Sequence, residues 1–571
     1  MSAADGFSSD GLERLRRDLD QLAPRDRTRE TGREASSDLL SPQALPDDPA
    51  HMAIIAVIDH AIPIAHRLLT LSSGHSRIAS AWLMDAPRMV RRRDIPFGQE
   101  YRGAEIDKLR QIGSAAPLDE DSFYREIGLL DPEGPNRWLM RAASHGAGVT
   151  CTAAGYLPGD GTARQRPVLA VALPDWAIAA TSGAAMPQLI QTALYFILSR
   201  ARILSRQIAA AQGKKGLRPP LVINISMGVT AGPRDGHSPL ERLLDEICNA
   251  KFPDLGQVHV VLASGNTRQQ QLHAVLAQGK RIAWRLLPDD LTPSELQVWT
   301  SPLPPGSPAV KLALKLPGMA ETQTAFHAPI QPGTQQARLR DANGQEIARL
   351  VLRAVERGAQ LRQCLSIVVP ATVVDRMDAP RTAAGTWHLR LVEGSPEPCD
   401  LVIQRDDSLI GFPRAGRQSR LIEKGYSARA QNGQWLGPDA RPPDFKIRRD
   451  GTLNSYGWGG AQLRCGSAYR SLGGDPGYGS LLETGLGGDI DAPSDRGPAL
   501  MGMLAPGNRG RAMQAIGGTS IAAPRLTRWL GDELARGTAL PDRTAVIAAA
   551  RAAGPARDVP CVAPPLPWRC D

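Results

Sequence analysis

Gly517-Gly518-Thr519-Ser520-Ile521-Ala522-Ala523-Pro524 is the stretch on which the reading of this 571-residue chain turns. The apolar residues Ile521, Ala522, Ala523, Leu526, Trp529 and Leu530 recur at helical spacing. They predict a helix opening at or just after Ser520, with Pro524 in its first turn. The two glycines let the backbone take φ > 0 or approach another segment closely. A serine at a helix N-terminus sits where backbone N–H groups and the macrodipole favour negative charge, which helps an attacking alkoxide or an oxyanion. By helix-start chemistry alone, a serine N-cap on a surface helix is the more ordinary reading. The rest of the chain has to decide between them.

Working outward, three segments carry matching chemistry. Residues 52–58, Met-Ala-Ile-Ile-Ala-Val-Ile, form a near-continuous apolar run. Such a run is what a strand buried on both faces of a parallel sheet requires. Asp59 then falls at the strand's carboxyl end, where open α/β sheets place their sites. His145 begins His-Gly-Ala-Gly-Val-Thr-Cys-Thr-Ala-Ala-Gly, whose small residues let a helix pack closely on a sheet. Its imidazole titrates near neutrality, which suits a general base. Val260-Val261-Leu262-Ala263-Ser264-Gly265-Asn266 ends a third apolar run in an amide. Taken singly, Asp59 reads as a turn aspartate and His145 as a structural histidine.

Together these segments resemble the subtilisin-like serine proteases (subtilases, peptidase family S8). The order Asp, His, Ser is the family's order, and the likeness covers about residues 50–270 and 445–535. Ile223-Asn224-Ile225-Ser226-Met227-Gly228 is similar to the substrate-binding strand, and Asp489-Ile490-Asp491-Ala492-Pro493 to the segment before the serine. The resemblance implies Asp59, His145 and Ser520 as a catalytic triad and Asn266 as the oxyanion-hole amide. It implies a substrate cleft lined by Ser226, Met227, Gly228, Ala263, Ser264 and Gly265. Two departures stand beside the triad. His60-Ala61 follow the aspartate where the family has a small or acidic residue and then glycine, and Gly148 replaces the family's second histidine. Neither removes a group of the triad.

The alternation of strand-like Val168–Ala172, Leu221–Ile225 and Val258–Ala263 with helical Pro187–Gln212 and Pro239–Ala250 predicts an α/β, doubly wound, mostly parallel sheet with right-handed crossovers. Residues 271–425 read differently. Short alternating runs such as Val310-Lys311-Leu312-Ala313-Leu314-Lys315 and Thr386-Trp387-His388-Leu389-Arg390-Leu391 are separated by Pro- and Gly-rich turns. That pattern predicts an inserted β-sandwich or jelly roll. Its tryptophans, expected to be exposed, and its loops offer a surface for a protein partner or substrate; otherwise the insert buttresses the core.

The expected division is residues 1–50 as an N-terminal helix (Leu12, Leu15, Leu19, Leu22) and linker, 51–270 as the first part of the core, 271–425 as the insert, 426–536 as the second part, and 537–571 as a tail with a helix at Arg543–Ala553. Residues 85–140, rich in arginine and acid with little periodicity, read as a surface insertion.

Composition limits the remaining possibilities. A net charge of +9 is spread over the whole sequence, without a run of five like charges or interleaved aromatics, so nucleic acid and membrane partners are not expected. No apolar stretch of about 18 residues occurs. The seven cysteines are scattered, without metal-ligand spacing. With no basic-then-apolar leader, a reducing cytoplasm is the expectation, with Cys561 and Cys570 as free thiols rather than a bridge. No metal and no organic cofactor is expected; the family's frequent structural calcium finds no acidic loop here. The implied activity is a serine endopeptidase acting on peptide or protein substrates. A pseudoprotease serving as a binding scaffold, and a dedicated enzyme processing one peptide, remain as alternatives.

Overall fold

The run Ile54–Asp59 forms β1 at the middle of an eight-stranded sheet. The other strands are β2 (Ile78–Leu83), β3 (Gln99–Arg102), β4 (Val168–Ala172), β5 (Leu221–Ile225), β6 (Val258–Ala263), and two from late in the chain, Leu463–Tyr469 and Ile490–Asp495. From one edge the order is Ile490–Asp495, Leu463–Tyr469, β6, β5, β1, β4, β2, β3. All neighbours pair in parallel except β2 and β3, which are antiparallel. The computed structural model describes residues 38–568, apart from 88–91, 93, 113–117, 132–137, 181, 375–378, 408–414, 437–444, 471–473 and 555–556. The leucine-spaced segment at 12–22 and Cys570 lie outside the described residues.

Alternation along β1 assigns the helices to the two faces. Ile54, Ala56 and Ile58 pack with the helices Met186–Ala211 and Pro239–Asn249. Ile55 and Val57 pack with His145–Ala154 and Thr519–Ala535. The helices carrying the histidine and the serine therefore share one face, over the strand that ends in Asp59. Gly531 lets the serine helix come down on the sheet: a Cβ there would stand 2.6 Å from Ile55 Cδ1.

Residues 273–422 form a sandwich of a five-stranded and a six-stranded antiparallel sheet around their own core. The tryptophans of the insert are not exposed. Trp284 and Trp387 are 0% and 1% exposed and meet edge-to-face at 5.7 Å, and Trp299 is 4% exposed. Trp284 and Trp387 lie on the inward sides of alternating strands and fill the sandwich core, whereas Trp299, on the other face of its strand, packs with Cys364, Val402 and Ala231, where the insert meets the core.

Three segments are more integral than their sequence suggests. Within 85–140, β3 pairs with β2, and Ile106, Phe123 and Tyr124 are buried. In the expected linker, Leu39 and Leu40 are fully buried and their N–H groups donate to Gln207 Oε1. In the expected tail, Val546 and Ala550 enter the core, and Val562 N donates to Asp491 O while Asp491 N donates to Pro560 O. The six described cysteines are free thiols, five of them buried. Among the described residues, no helix is long and apolar enough to cross a membrane.

Candidate active site

Asp59 ends β1 and is fully buried. Its backbone carbonyl accepts from Leu173 N, and His60 N donates to its Oδ1 at 2.8 Å. His145 opens its helix behind the N-cap Ser144, whose Oγ accepts from Ala147 N and whose hydroxyl lies 2.9 Å from Ala61 O. The next residue has to be glycine: a Cβ on Gly146 would stand 1.8 Å from His60 O. That close passage seats His145 Nδ1 at 2.8 and 3.0 Å from the two oxygens of Asp59.

Electrostatics follow from this pairing. Burial alone would raise the Asp59 carboxyl; the charge and hydrogen bond of His145, helped by His60, instead hold it well below the usual carboxylate range. Burial pulls the His145 imidazole down, but the Asp59 charge and hydrogen bond outweigh it and raise the pKa above 6.5, with Arg405 opposing them. His60, at the departure from the family pattern, stacks on His145 with centroids 5.8 Å apart and places Nδ1 3.3 Å from Asp59 Oδ1. Ala61 beside it takes φ +47°, a conformation that costs a non-glycine residue energy. Among the described residues, Asp59, His60 and His145 are the group whose ligand atoms, all within 4.8 Å of one another, could share a metal ion. An ion there would compete with the imidazole–carboxylate pair.

Ser520 is the second residue of the helix Thr519–Ala535, after Gly518 at φ +96°. Pro524 falls in the second turn rather than the first, where its missing N–H removes the i→i−4 partner of Ser520 O. Ser520 N also has no partner among the described residues, as the first-turn geometry of a helix leaves it. The Ser520 hydroxyl donates to Ser226 O at 3.2 Å, and no hydrogen bond joins it to His145.

Ser520 and His145 face one cavity of about 170 Å³, and Asn266 lines it with them. Asn266 Oδ1 accepts from Thr519 N at 2.9 Å and Thr519 Oγ1 at 3.1 Å. Because a backbone N–H can only donate, the amide is oriented: Oδ1 is engaged and Nδ2 is its remaining donor. Thr519 in turn accepts from Gly265 N at 3.0 Å. Gly518 N donates to Tyr478 OH, which is anchored on Asp495 and Ser494.

Of the expected cleft residues, Ser226, Met227, Gly228, Ala263 and Gly265 line the same cavity. Ser264 does not. It is fully buried, its backbone N donates to Cys465 O, its carbonyl accepts from Asn454 N, and its hydroxyl has no partner among the described residues. The strand-to-loop alternation turns it inward, into the join with Leu463–Tyr469. Gly228 leaves both backbone groups without partners among the described residues, and its Cα lies against Asn454, which a Cβ would meet at 2.3 Å. Sequence reasoning missed Thr519 as the residue holding Asn266, Tyr478 behind Gly518, and Arg405 and Asp407, which the insert brings to the cavity wall. Thr519 was legible in principle, since it adjoins the serine; the others come from loops without periodicity.

A mostly parallel sheet with the aspartate strand at its centre, and the histidine and serine helices on one face, defines a subtilisin-like fold. No protein-family model matches the chain, and no curated protein matches it. Among solved structures, it is similar to the CspB protease of Clostridium perfringens, with a TM-score of 0.59 over 89% of this chain and 90% of that one, at 14% identity. It also matches the MycP3 protease of the type VII (ESX-3) secretion system at 14% identity over 91% of this chain and 83% of that one, with a TM-score of 0.27, too low for a structural inference.

Proposed function

We propose that this chain is a serine endopeptidase that hydrolyses peptide bonds through an acyl-enzyme. The observation that carries the reading is His145, hydrogen-bonded to the buried Asp59, sharing one cavity with Ser520 and an oriented Asn266 amide. The site rather than the fold carries this reading, since one fold hosts many activities. Ser520 Oγ attacks the scissile carbonyl and passes its proton to His145 Nε2. Asp59 holds the tautomer with Nδ1–H toward itself and stabilises the imidazolium. The oxyanion is held by Asn266 Nδ2 and Ser520 N–H. Collapse of the tetrahedral species breaks the C–N bond as His145 returns the proton to the leaving amine. Water then repeats the sequence on the ester. Gly228, whose N–H and C=O have no partner among the described residues, would pair with an extended substrate as an added strand. No step calls on a cofactor.

The Ser520 hydroxyl must leave Ser226 O for the imidazole, a rotation about χ1 of the kind that tightens catalytic hydrogen bonds when substrate binds. The same observation favours a second reading, a binding scaffold without turnover. A fluorophosphonate probe separates them. Labelling of the wild type that is lost in Ser520→Ala supports the enzyme; an unlabelled wild type supports the scaffold.

Two further outcomes follow. Asn266→Ala is expected to lower kcat by about 10²–10³ with little change in KM, because the amide meets charge that develops only in the transition state; the magnitude was measured at the corresponding amide of subtilisin. Steady-state kinetics on one peptide checks it. The neutral form of His145 is the working form, and its pKa is raised, so the acid limb of log kcat/KM against pH should lie above 6.5. In Asp59→Asn the raising partner is gone, and the limb should move to lower pH as kcat falls by about 10⁴.

A further inference from the structure

We propose that Arg405, delivered by the sandwich insert, is a specificity residue that binds a carboxylate side chain of the substrate inside the cleft. This rests on the endopeptidase reading above. The inserted strand Cys399–Ile403 runs directly into Gln404 and Arg405. Gln404 is 8% exposed, and its Oε1 accepts from Thr230 N, Ala231 N and Arg405 N at 3.0–3.2 Å. Thr230 Oγ1 donates to Ile403 O at 2.9 Å. The insert is therefore clamped onto the backbone that immediately follows Gly228. Those two N–H groups are consumed, so a substrate strand pairing at Gly228 cannot extend along Thr230 and Ala231. It meets the arm of the insert instead.

At that point the arm presents a positioned cation. Arg405 lines the cavity together with His145 and Ser520. Its Nε donates to Asp407 Oδ1 and its Nη2 lies 3.4 Å from Asp407 O, which fixes the guanidinium plane. Nη1 has no partner among the described residues. Asp407 is the acid of the same lining, and Thr230, Gln270, Thr452 and Asn454 add neutral polar groups. Asp407 is spent on the Nε edge and is 45% exposed against 17% for Arg405, so water screens the anion more than the cation. A fixed guanidinium whose Nη1 edge is unengaged among the described residues is suited to a carboxylate through charge-assisted hydrogen bonds. A lysine or arginine of a substrate would find no unpaired acid among the described cavity residues.

The test uses the full chain and fluorogenic peptides that differ only in Glu against Gln at each position from P4 to P2′. The expected result is a preference for Glu at one position of roughly 10- to 100-fold in kcat/KM, shrinking at high salt. Arg405→Ala should abolish that preference, bringing the Glu and Gln peptides to the same kcat/KM, and Arg405→Lys should restore part of it. Should Arg405→Ala fold poorly, Arg405→Gln serves in its place. Cleavage of neutral peptides with no Glu preference, or a preference untouched by the substitution, overturns the inference and leaves the endopeptidase reading intact. No cleavage of any peptide together with no fluorophosphonate label overturns both.

Discussion

Ser520→Ala is expected to lower kcat by about 10⁶-fold, a loss of the size seen when the nucleophile is removed from subtilisin, and to leave stability almost unchanged. The two halves of this expectation have separate causes. The Ser520 hydroxyl makes one hydrogen bond, at 3.2 Å to Ser226 O, and the residue is only partly buried. Ser226 O loses a neutral donor that water can replace, and alanine is well tolerated near a helix start, so the folded state loses about 1 kcal/mol or less. The chemistry loses its nucleophile outright. His145→Ala should cost about as much, and the double variant no more than either, because the serine is inert without its base and the base is idle without the serine. What survives should still exceed the uncatalysed rate by about 10³–10⁴, supplied by Asn266 and the helix N-terminus. The measurements are single-turnover kinetics on one peptide and thermal melts of the four proteins. A Ser520→Ala protein keeping more than about one hundredth of the wild-type rate would place the nucleophile elsewhere.

The parts of the molecule that could be read beforehand are those where one local rule dominates. β1, β5 and β6 are buried on both faces, so their composition is almost purely apolar and their ends are sharp. The sandwich strands alternate because one side of each sheet faces its own core. Asp59, Asn266 and Ser520 sit at or just beyond the ends of such elements, which is why their numbers could be picked out. The parts that escaped depend on partners far away in sequence. β3 reads Gln-Glu-Tyr-Arg, nothing like a buried strand, yet Gln99 and Glu100 are 2% and 1% exposed: Gln99 Nε2 donates to Glu100 O, and Arg200 and Arg92 from other segments pair with the Glu100 carboxylate. Trp284 and Trp387 carry no mark distinguishing a core tryptophan from a binding one; their register does. Arg405 is one arginine among many until Gln404 is seen capping Thr230 and Ala231.

Arg200→Met is expected to destabilise the folded chain by about 3–5 kcal/mol without altering kcat. Glu100 and Arg200 are 0% and 1% exposed at their side chains and bond twice, Nε to Oε1 at 2.6 Å and Nη2 to Oε2 at 3.0 Å. Ser80 Oγ also donates to Oε1, and Arg92 stands 3.2 Å from Oε2. Burial alone would raise the Glu100 carboxyl; the Arg200 charge and hydrogen bonds reverse this and bring it to about 2 from an ordinary 4.5. Methionine fills much of the arginine's volume against Phe196, over whose ring the guanidinium lies at 4.8 Å, so the loss is chiefly electrostatic. The cost is a carboxylate left in the interior with Ser80, Arg92 and the more distant Arg102, together with Asp94, which loses its 2.7 Å partner Arg200. The sign of the pH dependence tests that assignment. A folded-state pKa below the unfolded one contributes stability that is present above the unfolded value and is lost as pH falls through the folded value. Wild type should therefore shed this contribution, about 3 kcal/mol, between pH 4.5 and 2. The variant has little of it to lose, so the two urea-denaturation midpoints should converge on acidification. Adding Glu100→Gln to Arg200→Met removes the stranded charge and should recover a large part of the loss at pH 7. A gap between wild type and Arg200→Met that stays constant from pH 7 down to pH 3 would mean that packing, not the ion pair, ties β3 to the long helix Met186–Ala211.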